Sequence, residues 1–156
     1  MLLYFLGYSP LHKKVIHRLK TLTNIQIINI PICYETASSE SFLQVHASVE
    51  QFLTLISKAK FVLTDSFHGV AFSVNFRKNF YAVSRNDTKV SLNSRIVDFL
   101  DRISLKDRVI NADNVSDYQL SEIDYSEPDR LLSSWVKESK EYLSSSLAEA
   151  TKNVND

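Results

Sequence analysis

Phe61-Val-Leu-Thr-Asp-Ser-Phe-His-Gly-Val-Ala-Phe-Ser-Val-Asn-Phe76 decides the fold. Phe61 to Thr64 are apolar or β-branched at four successive positions, the pattern of a short strand buried on both faces, as in the middle of a parallel sheet. From Phe67 onward, Val70, Ala71, Phe72, Val74 and Phe76 predict a helix, apolar nearly all round and so packed on several sides. Asp65-Ser66-Phe67-His68-Gly69 is the polar corner between strand and helix. The first amides of such a helix have no intrahelical partner and carry the positive end of its dipole, so the corner suits an anion.

Upstream of this stretch, Val49, Phe52, Leu53 and Ile56 form one apolar stripe, and Ser48 with Gln51 makes a capping box. A helix over Val49 to Lys58 is expected. Cys33 to Ala47 is polar with scattered aromatics and reads as a long connecting loop. Before it, Ile25 to Ile30 is an apolar strand stopped by Pro31, and Leu2 to Leu6 is a strand ending at Gly7. Leu11, Val15, Ile16, Leu19 and Leu22 recur at helical spacing, with His12, Lys13, Lys14, His17, Arg18 and Lys20 opposite. That basic face, His12 and His17 included, is read as solvated rather than as a phosphate or polymer site, because no aromatics interleave it.

Downstream, Phe80 to Ser84 is a strand and Arg85 to Asn93 a polar loop at its carboxyl end. Ser94 is the expected cap of a helix carrying Ile96, Phe99, Leu100 and Ile103, with Arg95 in its first turn, where a cation opposes the dipole and points to a nearby anion. Lys106 to Tyr118 reads as loop with a short strand at Val109-Ile110. Ser126-Glu-Pro-Asp129 starts a long terminal helix through Leu131, Leu132, Trp135, Tyr142, Leu143 and Leu147. Strands alternating with helices imply an α/β domain whose parallel sheet is covered on both faces, with ligands beyond the carboxyl ends of the strands. One domain over residues 1–150 is expected, with a disordered polar tail at 151–156.

The 156 residues suffice for one substantial core, and a composition 44% hydrophobic and 23% charged argues against disorder. Eighteen basic residues balance eighteen acidic ones, so no general attraction to nucleic acid follows and anion binding has to be local. The single cysteine, Cys33, excludes an intrachain disulfide and a cysteine-based zinc site and fits a reducing compartment. No apolar run approaches the roughly 20 residues of a membrane span. Met1 to Leu6 lacks the features of a signal peptide, so a cytoplasmic protein is expected. The four histidines show no ligand spacing with carboxylates, and no metal site or nucleotide fingerprint is expected.

At the rim, two readings of the corner stand side by side. In one, His68 beside a bound phosphate or carboxylate is a general acid or charge clamp, Ser66 offers hydroxyl and amide, and Gly69 lets the ligand approach. In the other, Asp65 or Ser66 caps the helix, His68 is a hydrogen-bonded ring and Gly69 a packing residue. Arg85 and Arg95 either contact the same anion or, respectively, face solvent and pair with Asp98.

Phe52 to Phe76, with Thr-Asp-Ser-Phe-His-Gly69 its most specific part, then Phe80-Tyr81, Asn93-Ser-Arg-Ile96 and Leu105-Lys-Asp-Arg108, resemble the polysaccharide pyruvyl transferase family. The resemblance implies a Rossmann-like domain similar to the carboxyl-terminal half of a GT-B glycosyltransferase. It implies transfer of pyruvate from phosphoenolpyruvate onto two hydroxyls of a sugar in a surface polysaccharide or its precursor, with no cofactor. His68 then corresponds to the family's catalytic histidine, Ser66 and Gly69 cradle phosphate, Arg95 and Arg85 neutralise the donor, and Asp65 caps and orients. The amino-terminal, acceptor-side half of the family architecture is not in this sequence, so the resemblance implies either a truncated or split member whose partner is a separate amino-terminal half-enzyme, or a piece of a longer protein. His46-Ala-Ser48 stands where the resemblance would place a Gly-Pro step. A GT-B donor domain using a nucleotide sugar and a catalytically degenerate half-enzyme acting as a binding module are the alternatives.

Overall fold

The strand Phe61–Thr64 is buried at all four positions and has a parallel neighbour on either side. In the computed structural model, which describes residues 1–7, 9–32, 42–85 and 91–152, it is β4 of a sheet of six. The others are β1 Leu2–Tyr4, β2 Ile28–Asn29, β3 Leu43–Gln44, β5 Asn79–Val83 and β6 Val109–Ile110. The helices are α1 Pro10–Leu22, α2 Val49–Lys58, α3 Phe67–Asn75, α4 Ser91–Arg102 and α5 Ser126–Lys152, with a 3₁₀ turn at Lys106–Arg108.

All the printed pairings are parallel, and the order is β3-β2-β1-β4-β5-β6. The chain therefore builds outward from β1 in one direction, crosses back, and builds outward from β4 in the other. Adjacent β1 and β4, in register at Leu3 and Leu63, send their loops opposite ways and leave the crevice at which ligands bind in doubly wound sheets.

Side-chain alternation divides the core between the two faces. Leu3, Leu63, Tyr81 and Val83 meet Leu11, Val15 and Leu19 of α1 on one face, closed by Val115 and Tyr118. Leu2, Val62, Phe80 and Ala82 meet Ile56 of α2, Val70 and Val74 of α3, and Ile96 and Leu100 of α4 on the other. Helices cover both faces, as the alternation of elements predicts. Each fully buried aliphatic side chain here contributes about 1.5–3 kcal/mol.

Boundaries follow local chemistry. The capping box of α2 forms as expected: Gln51 N donates to Ser48 Oγ at 3.3 Å and Ser48 N to Gln51 Oε1 at 2.9 Å. The expected strands at Leu2 to Leu6 and Ile25 to Ile30 shrink to three and two residues. The expected loop from Cys33 to Ala47 contains the edge strand β3, too short to show a period, whose Gln44 Oε1 accepts from Asn29 Nδ2 at 2.8 Å; residues 33–41 lie outside the described residues. Ser94 does not begin its helix, which starts at Ser91, because Ser91-Leu-Asn continues the helix backward. Residues 86–90 of the expected polar loop, and 153–156 of the expected tail, lie outside the described residues. The terminal helix runs to Lys152, and its second half stands off the core: Tyr142, Leu143 and Leu147 are 76%, 57% and 59% exposed.

Candidate active site

The carboxyl ends of β1, β4 and β5 converge on one buried carboxylate. Asp65, which follows β4, is 3% exposed. Its Oδ1 accepts from Leu6 N at 2.7 Å and its Oδ2 from Gly7 N at 3.2 Å, both in the loop after β1. Arg85, just past β5, donates Nε to Oδ2 at 2.8 Å and Nη2 to the Asp65 carbonyl at 3.2 Å. His12, on the inner face of α1, brings Nε2 to 3.4 Å from Oδ2. Two amides, a guanidinium and an imidazole thus surround one carboxylate, the kind of compensation a buried charge requires. Such a carboxylate is a clamp at the switch point rather than a base, since its lone pairs are in use.

His12 corrects the reading of α1 as solvated on that side. The residue is 1% exposed, with its ring edge-on to Phe5 at 4.6 Å. Ser9 N donates to His12 Nδ1 at 3.1 Å and Ser9 Oγ lies 2.8 Å from the same atom, which leaves the ring proton on Nε2, facing Asp65. Ser9 in turn accepts from His12 N at 3.4 Å, so His12 closes the capping box of α1. A box closed by histidine instead of Glu or Gln was the available signal, and it is a weak one. His17 is exposed, as expected.

The remaining corner residues divide between packing and exposure. Ser66, 1% exposed, is the cap of α3: its hydroxyl accepts from Gly69 N at 3.4 Å, and its own amide donates to Thr64 Oγ1 at 3.1 Å. Capping therefore falls to Ser66 and not to Asp65. Gly69 is buried, and a Cβ there would collide with Thr64 Oγ1 and lie 3.0 Å from Thr64 Cβ and Cγ2. The room its missing side chain leaves is taken by the strand beneath it and not by an approach path for a ligand. Thr64 Oγ1 also donates to Tyr4 O at 2.6 Å, which ties β4 to β1.

His68 is exposed in the first turn of α3. Its neighbour Phe67 packs edge-on to Phe99 at 5.7 Å, and the His68 ring lies 6.2 Å from the Phe67 ring. Arg95, also exposed, sits with its guanidinium 5.8 Å over the other partner of that contact, the Phe67 ring. Because α4 begins at Ser91, Arg95 belongs to its second turn, so the argument from a first-turn cation fails. What remains is a shared aromatic platform with a histidine and an arginine beside it. Tyr4, at the end of β1, is held above its ordinary phenol range by burial and by the negative Asp65, with the Ser66 hydroxyl partly offsetting this. It is a proton-bearing group on the same rim that the sequence did not mark.

Arg85 and Asp65 stand together; His68 and Arg95 each lie beside the Phe67 ring; Ser66 and Gly69 belong to the turn of backbone between Asp65 and that ring. The family model for polysaccharide pyruvyl transferase matches residues 3–87, more than half of the chain. The chain belongs to the polysaccharide pyruvyl transferase family. For a pyruvyl transferase family member, the matched span carries the whole clamp, from the loop after β1 to Arg85, and also His68; Arg95 falls outside it. No curated protein and no solved structure matches the chain significantly. Among the described residues no group of three or more His, Cys, Asp and Glu is placed to hold a metal ion, and no helix is long and apolar enough to cross a membrane.

Proposed function

We propose that the chain is the donor-binding domain of a ketal pyruvyltransferase, taking pyruvate from phosphoenolpyruvate and placing it on two hydroxyls of a sugar in a polysaccharide or its precursor. The observation that carries this reading is the exposed His68 in the first turn of α3, at the crevice between β1 and β4 of a pyruvyl transferase family member. The first two amides of α3, those of Phe67 and His68, precede its first intrahelical bond, from Val70 N to Ser66 O, and are the donors left for a phosphate or carboxylate.

Forming the ketal makes two C–O bonds to the donor's C2, breaks its bond to the phosphate oxygen, and adds one proton to C3, which becomes a methyl group. Of the two protons the sugar hydroxyls release, one balances that methyl group and the other leaves with phosphate. His68 is assigned the proton delivery or the stabilisation of charge as phosphate departs. Arg95 is assigned a donor oxygen. Ser66 and Gly69 present the start of α3 through their backbone, and Arg85 acts through its hold on Asp65. The acceptor sugar is taken from the side of the cleft that faces α3, and the reaction uses no cofactor.

Titration with phosphoenolpyruvate, followed at the His68 ring by NMR, is the direct test. A saturable shift is expected, and His68→Gln is expected to lower pyruvyl transfer by about 10²- to 10⁴-fold. An unchanged His68 resonance at millimolar donor would sink the assignment.

A further inference from the structure

The outer side of α1 has chemistry that the donor site does not use. The helix carries Lys13, Lys14, His17, Arg18 and Lys20 and no acidic residue, on a chain whose formal net charge is zero. Lys13, Lys14, His17 and Arg18 form one wall of a groove of about 580 Å³, and Val115 and Ser116, in the turn after β6, lie on the other. Among the described residues no acidic side chain lines it; Asp113 and Asp117 of that turn are exposed outside the lining.

The wall is held in place. Arg18 Nε donates to Tyr118 O at 3.1 Å and its guanidinium lies 5.4 Å over the Tyr118 ring. The Tyr118 hydroxyl donates back to Val15 O, in the middle of α1, at 2.8 Å. Lys13 with His17, and Lys14 with Arg18, are one helical turn apart, about 5–6 Å between Cβ atoms. Two such rows match two linked phosphates, each of which gains charge-assisted hydrogen bonds. Val115 and the lysine stems supply an apolar lining for the organic group that carries them.

The geometry points to a second binding site, a groove for the diphosphate group of an organic ligand, separate from the corner at His68. It opens on the same helix that sends His12 inward to Asp65, and it stands whether or not phosphoenolpyruvate is the donor.

The test is titration of the whole chain with inorganic pyrophosphate at constant ionic strength, read by calorimetry and by the His17 ring resonances. One saturable site is expected, with orthophosphate bound about tenfold or more weakly. Lys14→Glu should lower pyrophosphate affinity about tenfold. Lys20→Glu makes the same charge change on the same helix, where Lys20 lies 5.0 Å over the Phe42 ring, and should leave the affinity within about twofold. Equal losses in the two variants would mean diffuse attraction and would overturn the proposal, as would an unshifted His17. Phosphatidylglycerol vesicles separate the sources of phosphate: binding that pyrophosphate competes away supports the groove, and binding that it does not compete identifies a membrane-facing surface instead and overturns it. Neither readout involves phosphoenolpyruvate or His68, so this site and the donor site fail independently.

Discussion

Asp65 shows how much one side chain can organise. It accepts from the loop after β1 and from Arg85 past β5 while standing at the end of β4, so three of the loops that build the rim have one anion in common. Removing the charge while keeping the shape leaves Arg85, whose side chain is 19% exposed, facing an amide, and aims one NH₂ group at backbone donors. Asp65→Asn is therefore expected to cost about 3–5 kcal/mol, measured by urea unfolding; a loss under about 1 kcal/mol would show that the clamp is ornamental. His12 belongs to the same cluster, and in the sequence only its place three residues after Ser9, a weak capping signal, separates it from the exposed His17. Only the fold of the loop after β1, which turns Ser9 onto its ring, puts it inside.

The contact of α3 with β4 is set by the smallest residue in the helix. Thr64 cannot retreat from a Cβ at position 69, because its hydroxyl is committed to Tyr4 O at 2.6 Å and to Ser66 N at 3.1 Å. Gly69→Ala is expected to destabilise the protein by about 1–3 kcal/mol through overpacking. Thr64→Ala removes the colliding atoms, so the double variant should lose less than the sum of the two single ones, by about 0.5 kcal/mol or more in a double-mutant cycle. Strict additivity would place the strain elsewhere. At the far end of α3 the chain leaves through Arg77 at φ 48°, with Lys78 N donating to Ser73 O at 2.8 Å. This left-handed exit satisfies the last carbonyls and starts β5.

Across the whole molecule, two buried tyrosines fasten the segment after β6 to the core. Tyr118 donates to Val15 O and is pushed up to about 12, chiefly by burial. Tyr125 donates to Lys78 O at 2.6 Å and is raised too, again chiefly by burial. Below pH about 10 a phenol is protonated in both folded and unfolded chains, so it adds no pH dependence. Above that, the unfolded chain releases the proton while the folded one keeps it. Stability should therefore fall as pH rises from about 10 towards 12, by up to about 1.4 kcal/mol per pH unit for each such tyrosine. Urea midpoints measured from pH 8 to 12 check this, and Tyr118→Phe should flatten the slope. A flat profile in the unsubstituted protein would refute it.

The elements themselves were legible because their signals are local. Phe61 to Thr64 alternates between two cores, Ser48 and Gln51 cap α2, and the apolar run that follows Ser66 forms α3. Parallel pairing follows from the alternation of strands and helices, and the corner at Asp65 to Gly69 stood out as the place where chemistry would sit. Tertiary structure alone decided the rest. The strand order that makes β1 and β4 neighbours, the pairing of Asp65 with Arg85 twenty residues on, and the burial of His12 depend on contacts between distant segments, which no local period encodes. The same holds for Gly69, whose missing side chain makes room for Thr64, and for the basic face of α1, which becomes a groove only when the turn after β6 lies against it.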